Sequence, residues 1–278
     1  MQGRGMRLPH RKRHVSIVAA VAVILLIPGQ TAEARSRYRA SSTRRMAKRL
    51  EEIAKNASPE TNPRLNDQRA EYFRRRLDQP LDPYNRVMLQ ALVAQELLYA
   101  GKTEEAIEGF LHVQREVTRN GYAFPSGFAG TIRDMLAISH LRLAEQENCI
   151  YNHTIDSCLL PIGETGVHRF QRGSRAAIDA YKRILKDKPD DLTSRWLLNI
   201  AYMTVGEYPH LVPKTWLIPP AAFCSDYNIG RFYDAAPGLG LDVVSLAGGC
   251  ITEDFDGDGY LDIVTSSWGL RDQTRYFR

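Results

Sequence analysis

Near the C-terminus, Asp254-Phe-Asp256-Gly-Asp258-Gly-Tyr260-Leu-Asp262 places carboxylates at loop positions one, three, five and nine, with Gly259 at position six. Alternate residues of a tight loop can aim their side chains at one centre. A hard cation such as Ca²⁺ takes six to eight oxygen ligands in that way. Gly259 suits the sharp turn, because glycine adopts a positive φ without a Cβ penalty. Asp254, Asp256, Asp258 and Asp262 are therefore expected to ligate Ca²⁺ through side chains, and Tyr260 through its backbone carbonyl. Four carboxylates this close repel one another unless a cation neutralises them.

The residues around the loop say what positions it. Position twelve, where an EF-hand carries a bidentate Glu, is Thr265, so a helix–loop–helix calcium site is excluded. The flanks Val243-Val244-Ser245-Leu246 and Leu261-Asp262-Ile263-Val264-Thr265 are rich in β-branched residues and read as strands. A strand–Asp loop–strand unit resembles the FG-GAP or VCBS repeat, which builds blades of β-propellers decorated with calcium. A propeller needs roughly four to eight blades. The sequence ends at Arg278, so the expectation is a truncated first blade and a chain that is the front of a longer protein.

At the other end, Arg11-Lys12-Arg13-His14 precedes an apolar run from Val15 to Ile27 that only Ser16 interrupts. Pro28-Gly29 breaks the run, and Ala32-Glu33-Ala34 offers an A-x-A cleavage site. The run is shorter than the ~20 residues of a membrane span. The pattern is that of a secretory signal over residues 1–34, which predicts a secreted or periplasmic protein. The whole chain carries a net charge of +5. Five basic residues and one acid fall within residues 1–34, so the mature chain is near neutral and its pI gives no reason to expect nucleic acid. Arg35, Arg37, Arg39, Arg44, Arg45, Lys48 and Arg49 form a basic arm within a partly helical lead-in over residues 35–84. The arm reads as a solvated segment, with contact to anionic lipid or surface polymer as the functional alternative.

All four cysteines lie in the exported part. Cys149 and Cys158 sit in one loop-like stretch, and a local disulfide is expected there. Cys224 and Cys250 are candidates for a second bridge, although four cysteines allow three connectivities. His153 and His168 flank the same stretch, but their spacing with the cysteines matches no common zinc pattern. It reads as a structural loop.

Between residues 85 and 215 the pattern is helical, with a period near 34 residues, the signature of tetratricopeptide (TPR) repeats. Met88–Tyr99 and a helix opening at Glu104-Glu105 make the first pair. Ala106 and Phe110 fit positions where paired helices press together. Ile132–Glu147 and Ser174–Lys186 make the second pair, split by an insertion over residues 148–168. A third unit opens at Leu192 with Trp196 at core spacing. Pro209, Pro213, Pro219 and Pro220 prevent its second helix. Residues 216–240 are then a linker, and residues 241–278 the first propeller repeat, with Trp268 packed in it. The fold class expected is mainly α, a TPR-like α-solenoid followed by the first strands of a truncated β-propeller.

Several segments together carry a family resemblance. They are Asn148-Cys-Ile-Tyr-Asn-His-Thr-Ile-Asp-Ser-Cys-Leu-Leu-Pro161, Gly166-Val-His168, Trp196-Leu-Leu-Asn-Ile-Ala-Tyr-Met203, Gly206-Glu-Tyr-Pro209, Trp216-Leu-Ile-Pro-Pro220, Asp254-Phe-Asp-Gly-Asp-Gly259 and Ser267-Trp-Gly-Leu-Arg-Asp272. They resemble the bacterial relatives of cartilage acidic protein. The resemblance implies export, helical repeats, a calcium-decorated propeller and usually an ASPIC/UnbV domain. It also implies binding or adhesion to a protein or glycan partner rather than catalysis. No G-x-S-x-G, H-E-x-x-H or phosphate-loop signature occurs. The rival reading is a propeller enzyme acting on envelope or extracellular polysaccharide, with its active site outside these residues.

Overall fold

The computed structural model describes residues 32–278 apart from 121–123, 151, 155, 158, 228, 229, 231, 244 and 271. Among the described residues the chain is mainly helical, with eight helices and a small antiparallel sheet. The apolar run Val15–Ile27, read as part of a secretory signal, lies outside the described residues. No helix among the described residues is long and apolar enough to cross a membrane.

The chain divides into two compact units between Asn56 and Ala57. The described part of the first is one helix, α1 (Ala32–Asn56). The second opens with α2 (Asn66–Leu77), α3 (Pro83–Tyr99) and α4 (Thr103–Asn120), and continues with α5 (Phe128–Cys149), α6 (Arg172–Asp187) and α7 (Leu192–Thr204). From α2 to α7 each helix packs on its neighbour in sequence. Local chemistry sets the boundaries. The Asp82 carboxylate accepts from Asn85 N–H at 3.0 Å, with Pro83 in the first turn of α3. Gly101, at φ +77°, makes the turn into α4. Asp191 caps α7 by accepting from Ser194 N–H at 3.1 Å.

Two apolar clusters hold the helices together. The first draws on α2 to α5 and includes Phe73, Val87, Leu97, Ala106, Phe110 and Val113. The second draws on α5 to α7 and includes Leu141, Ile178, Tyr181, Leu185, Leu198 and Tyr202. Ala106 and Phe110 are buried, as their spacing predicts. Small residues allow the close approaches. A Cβ on Gly173 would stand 2.6 Å from Ala144 N and 2.7 Å from His140 O, so α6 meets α5 through its backbone.

The lead-in expected over residues 35–84 requires correction. Residues 66–77 are a full helix of the body, with Ala70 and Phe73 in the first cluster. Arg69 Nε lies 2.7 Å from the buried Glu96 Oε1 of α3, and Asn66 Nδ2 donates to Glu96 Oε2 at 2.7 Å. Few apolar residues mark this helix, because part of its seat is polar. Trp196 also departs from expectation, being 40% exposed. Leu198, Ala201 and Tyr202 take the interior face of α7. The Trp196 ring lies 5.8 Å from that of Phe223, in the 3₁₀ turn Pro220–Phe223.

The prolines after α7 do stop a further long helix. Residues 208–218 lie back on α7 instead. The wholly buried Asn199 donates from Nδ2 to Trp216 O at 2.9 Å and accepts from Ile218 N–H at 3.0 Å. Arg195 donates to the carbonyls of Trp216 and Leu217 at 3.2 and 2.6 Å. The short α8 (Ala236–Leu239) follows. Three strands then pair in the order β1 (Ala247–Glu253), β2 (Asp262–Ser267), β3 (Arg275–Phe277). The first strand begins at Ala247 rather than at Val243. Its start is irregular: the register shifts between Ala247 and Cys250, and a Cβ on Gly248 would sit 2.4 Å from Ser266 O. Trp268 is 61% exposed, with the Arg64 guanidinium 4.9 Å from its ring centre. That cation–π contact replaces the packing expected inside a blade.

Candidate metal centre

Antiparallel pairing of Glu253 with Asp262 closes the aspartate loop at its base. Gly257 and Gly259, at φ +80° and +90°, turn the chain within it. The first aspartate organises the turn. Asp254 Oδ1 accepts from Gly257 N–H at 2.7 Å and Asp258 N–H at 3.1 Å, and Oδ2 from Gly259 N–H at 3.0 Å. These bonds satisfy amides that the tight turn leaves without ladder partners.

Asp262 stands at the opposite side, on the first residue of β2, and is only 2% exposed. Its Oδ2 accepts from Phe255 N–H at 2.9 Å and from the Tyr276 hydroxyl at 2.8 Å. Both donors fix the carboxylate without supplying a full positive charge. Its hydrogen bond with Asp262 pushes the Tyr276 phenol up to about 12. Lost solvation, and then the charges of Asp258, Asp262 and Asp254, push the Asp256 carboxyl above its ordinary value, against the pull of its bond from Asp258 N–H.

Three of the four predicted carboxylates come together. Asp254, Asp256 and Asp262 each offer an oxygen within 4.8 Å of the others. Asp258 does not join them. Its Oδ1 accepts from Tyr260 N–H at 2.9 Å, and its Oδ2 faces Arg278 at 3.4 Å. The Tyr260 side chain is exposed. Arg278 Nε also lies 2.8 Å from Asp256 Oδ2, so one guanidinium bridges two acids of the loop. Sequence reasoning missed Tyr276 and Arg278, which reach the loop because β3 pairs with β2, Val264 facing Tyr276. The signal was the aromatic pair Tyr276-Phe277 between Arg275 and Arg278, too brief to stand as a strand alone. The donor set fits a hard cation: all oxygen, no thiolate or imidazole, on a glycine-turned loop with one buried carboxylate.

The cysteine stretch shapes a second concave region. The Cys149–Cys158 pair lies partly outside the described residues, since Cys158 is among those not described. Cys224 and Cys250 are exposed free thiols, so the second bridge does not form. His168 is buried at the end of the insertion. Its Nδ1 is 3.2 Å from Ser174 Oγ, which accepts from Thr204 Oγ1 at 2.8 Å. The His168 backbone N–H donates to Thr204 O at 2.8 Å and ties the insertion to α7. Burial holds the imidazole below its ordinary pKa. Beside this network lies a cavity of about 920 Å³, walled by α5, the insertion and α7, with Leu141, Ile162, Val167 and Ile200 among its lining. His153 is exposed.

Comparison with protein-family models, with curated proteins and with solved structures found no match to this chain.

Proposed function

We propose that the chain is an exported calcium-binding interaction module, in which TPR-like helical repeats precede a calcium-stabilised hairpin of the propeller-repeat type. The observation that carries this reading is the convergence of Asp254, Asp256 and Asp262 within 4.8 Å on a loop turned by Gly257 and Gly259. Ca²⁺ would be structural here. It would neutralise the carboxylates and hold the base of the β1–β2 hairpin, leaving the loop ordered for a protein or glycan partner. Consecutive helix packing from α2 to α7, with small residues at the close approaches, supports the repeat reading. The basic and apolar N-terminal segment supports export.

The test is calorimetric titration of the full chain with CaCl₂, paired with thermal unfolding in calcium and in EDTA. Calcium should raise the melting temperature of the hairpin's own unfolding transition. A ligand at 100 times its dissociation constant stabilises by about 2.7 kcal/mol. Asp254→Asn with Asp256→Asn should abolish both the binding heat and the calcium-dependent rise. No binding heat, together with an unfolding transition of the hairpin that is the same in calcium and in EDTA, would reject the metal role.

A further inference from the structure

The helix α1 carries a face that its own chemistry leaves without an occupant. Met46, Leu50 and Ile53 are 55%, 57% and 53% exposed. At 100° per residue they fall within roughly 60° of arc, one above another along the helix. The sequence of residues 32–56 holds eight basic residues and three acids, a net charge of +5. The two acids of the last turns are already matched: Glu51 pairs with Lys55 at 2.5 Å, and Glu52 with Lys48 at 4.0 Å. Both pairs lie on the side of the helix away from the apolar stripe. Arg44, Arg45 and Arg49 make no ion pair among the described residues, and Arg45 and Arg49 lie along one edge of the stripe.

We propose that this face of α1 docks on an anionic lipid bilayer, lying in the plane of the headgroups. An apolar stripe bordered by uncommitted arginines is the pattern of an interfacial helix, whose binding combines buried apolar area with attraction to anionic headgroups. Other occupants fit less well. An acidic polymer needs the charge but leaves the stripe in water. A second α1 supplies the stripe but brings another +5 against the first. Position in the chain agrees with a membrane: cleavage after Ala34 would leave this helix at the new N-terminus, released at the membrane the chain has just crossed. That last argument rests on the export part of the proposed function.

The experiment is co-sedimentation with vesicles, using the chain from residue 35 onward. Residues 57–278 hold both apolar clusters and form their own compact unit, so removing residues 1–34 leaves the body intact. The vesicles are phosphatidylcholine alone or an equal mixture with phosphatidylglycerol. Binding to the mixture should be at least about tenfold tighter and should weaken with salt. Hydrogen exchange should slow on the mixed vesicles, with the effect confined to residues 41–56. Met46→Gln, Leu50→Gln and Ile53→Gln together keep charge and helix propensity and should abolish binding. Arg44→Gln, Arg45→Gln and Arg49→Gln together should remove the preference for the mixture. Undiminished binding of the first variant, or slowed exchange elsewhere than in α1, would overturn the proposal. So would self-association of the natural chain without lipid that the first variant abolishes. A chain that binds vesicles in this way but is retained inside an exporting cell would support the docking and remove the export reading.

Discussion

At the scale of single residues, Asp262 separates a metal site from a hydrogen-bonded turn. Its Oδ2 takes two hydrogen bonds that an asparagine oxygen can also accept. Asp262→Asn should therefore leave the melting temperature in EDTA nearly unchanged, because it keeps those bonds and relieves repulsion among the acids. Calcium affinity should fall at least about tenfold, since a full charge leaves a partly desolvated cluster. Titration calorimetry checks this, and unchanged affinity would make Asp262 a structural acceptor alone. His168 gives a residue-scale prediction away from the loop. Burial lowers its pKa in the fold, so the unfolded chain takes the proton more readily. Its stabilising contribution is complete above about pH 6.5, the ordinary value, and is lost as pH falls through the folded value. His140 shifts the same way, through burial and then the charge of Arg183. The melting temperature should decline from about pH 7 to about pH 5, and His168→Gln should flatten part of that slope. A proton-NMR titration placing the His168 midpoint at or above about 6.5 would contradict the argument.

At the scale of elements, stability depends on where two helices approach closely enough to exclude a methyl group. Gly173 of α6 meets the backbone of α5, which has no rotamer to yield. Gly173→Ala should cost about 1–3 kcal/mol by overpacking, beyond the small gain in helix propensity. The readout is the urea midpoint at an unchanged m-value. Gly109→Ala meets Ala94 Cβ at 2.9 Å and should also destabilise. A neutral or stabilising Gly173→Ala would mean that α5 and α6 can separate at little cost. These contacts also mark how far the sequence could be read. Helices α3 to α7 were legible because each repeats large apolar residues on one face, and all but α6 have a Gly or a capping Asp at an end; α6 stops before Pro189. Helix α2 was not, because its seat against α3 is largely the Arg69–Glu96–Asn66 cluster, and buried polar partners leave no hydrophobic period. The start of β1 was misplaced because Gly248 and Gly249 have low strand propensity, while the β-branched pair before them is more strand-like. The convergence of Asp254, Asp256 and Asp262 was legible from spacing, whereas the turn of Asp258 away from them was not. Arg278 and Tyr276 were not, since their approach depends on long-range pairing of β3 with β2.

At the scale of the whole molecule, the helices and the sheet are held by different forces. The helices share two clusters of buried apolar side chains. Among the described residues of the sheet strands, only Asp262 is buried, and Ile251 is exposed. A three-stranded sheet with so little apolar cover is marginal in water. What ties this one down is mostly polar: the strand ladder, the aspartate loop, Ser267 Oγ donating to Leu246 O at 2.8 Å, and Arg64 over Trp268. Removing calcium should therefore act locally. Native-state hydrogen exchange in EDTA should speed up at the amides of β1, β2 and residues 254–261, while those of α3 to α7 keep their protection. The helices would lose no buried contact on removal of a cation from the loop, so their opening free energy has no reason to change. Uniform acceleration across helices and sheet would show instead that the hairpin folds and unfolds with the helical body. The cation would then set the stability of the whole second unit rather than that of one loop.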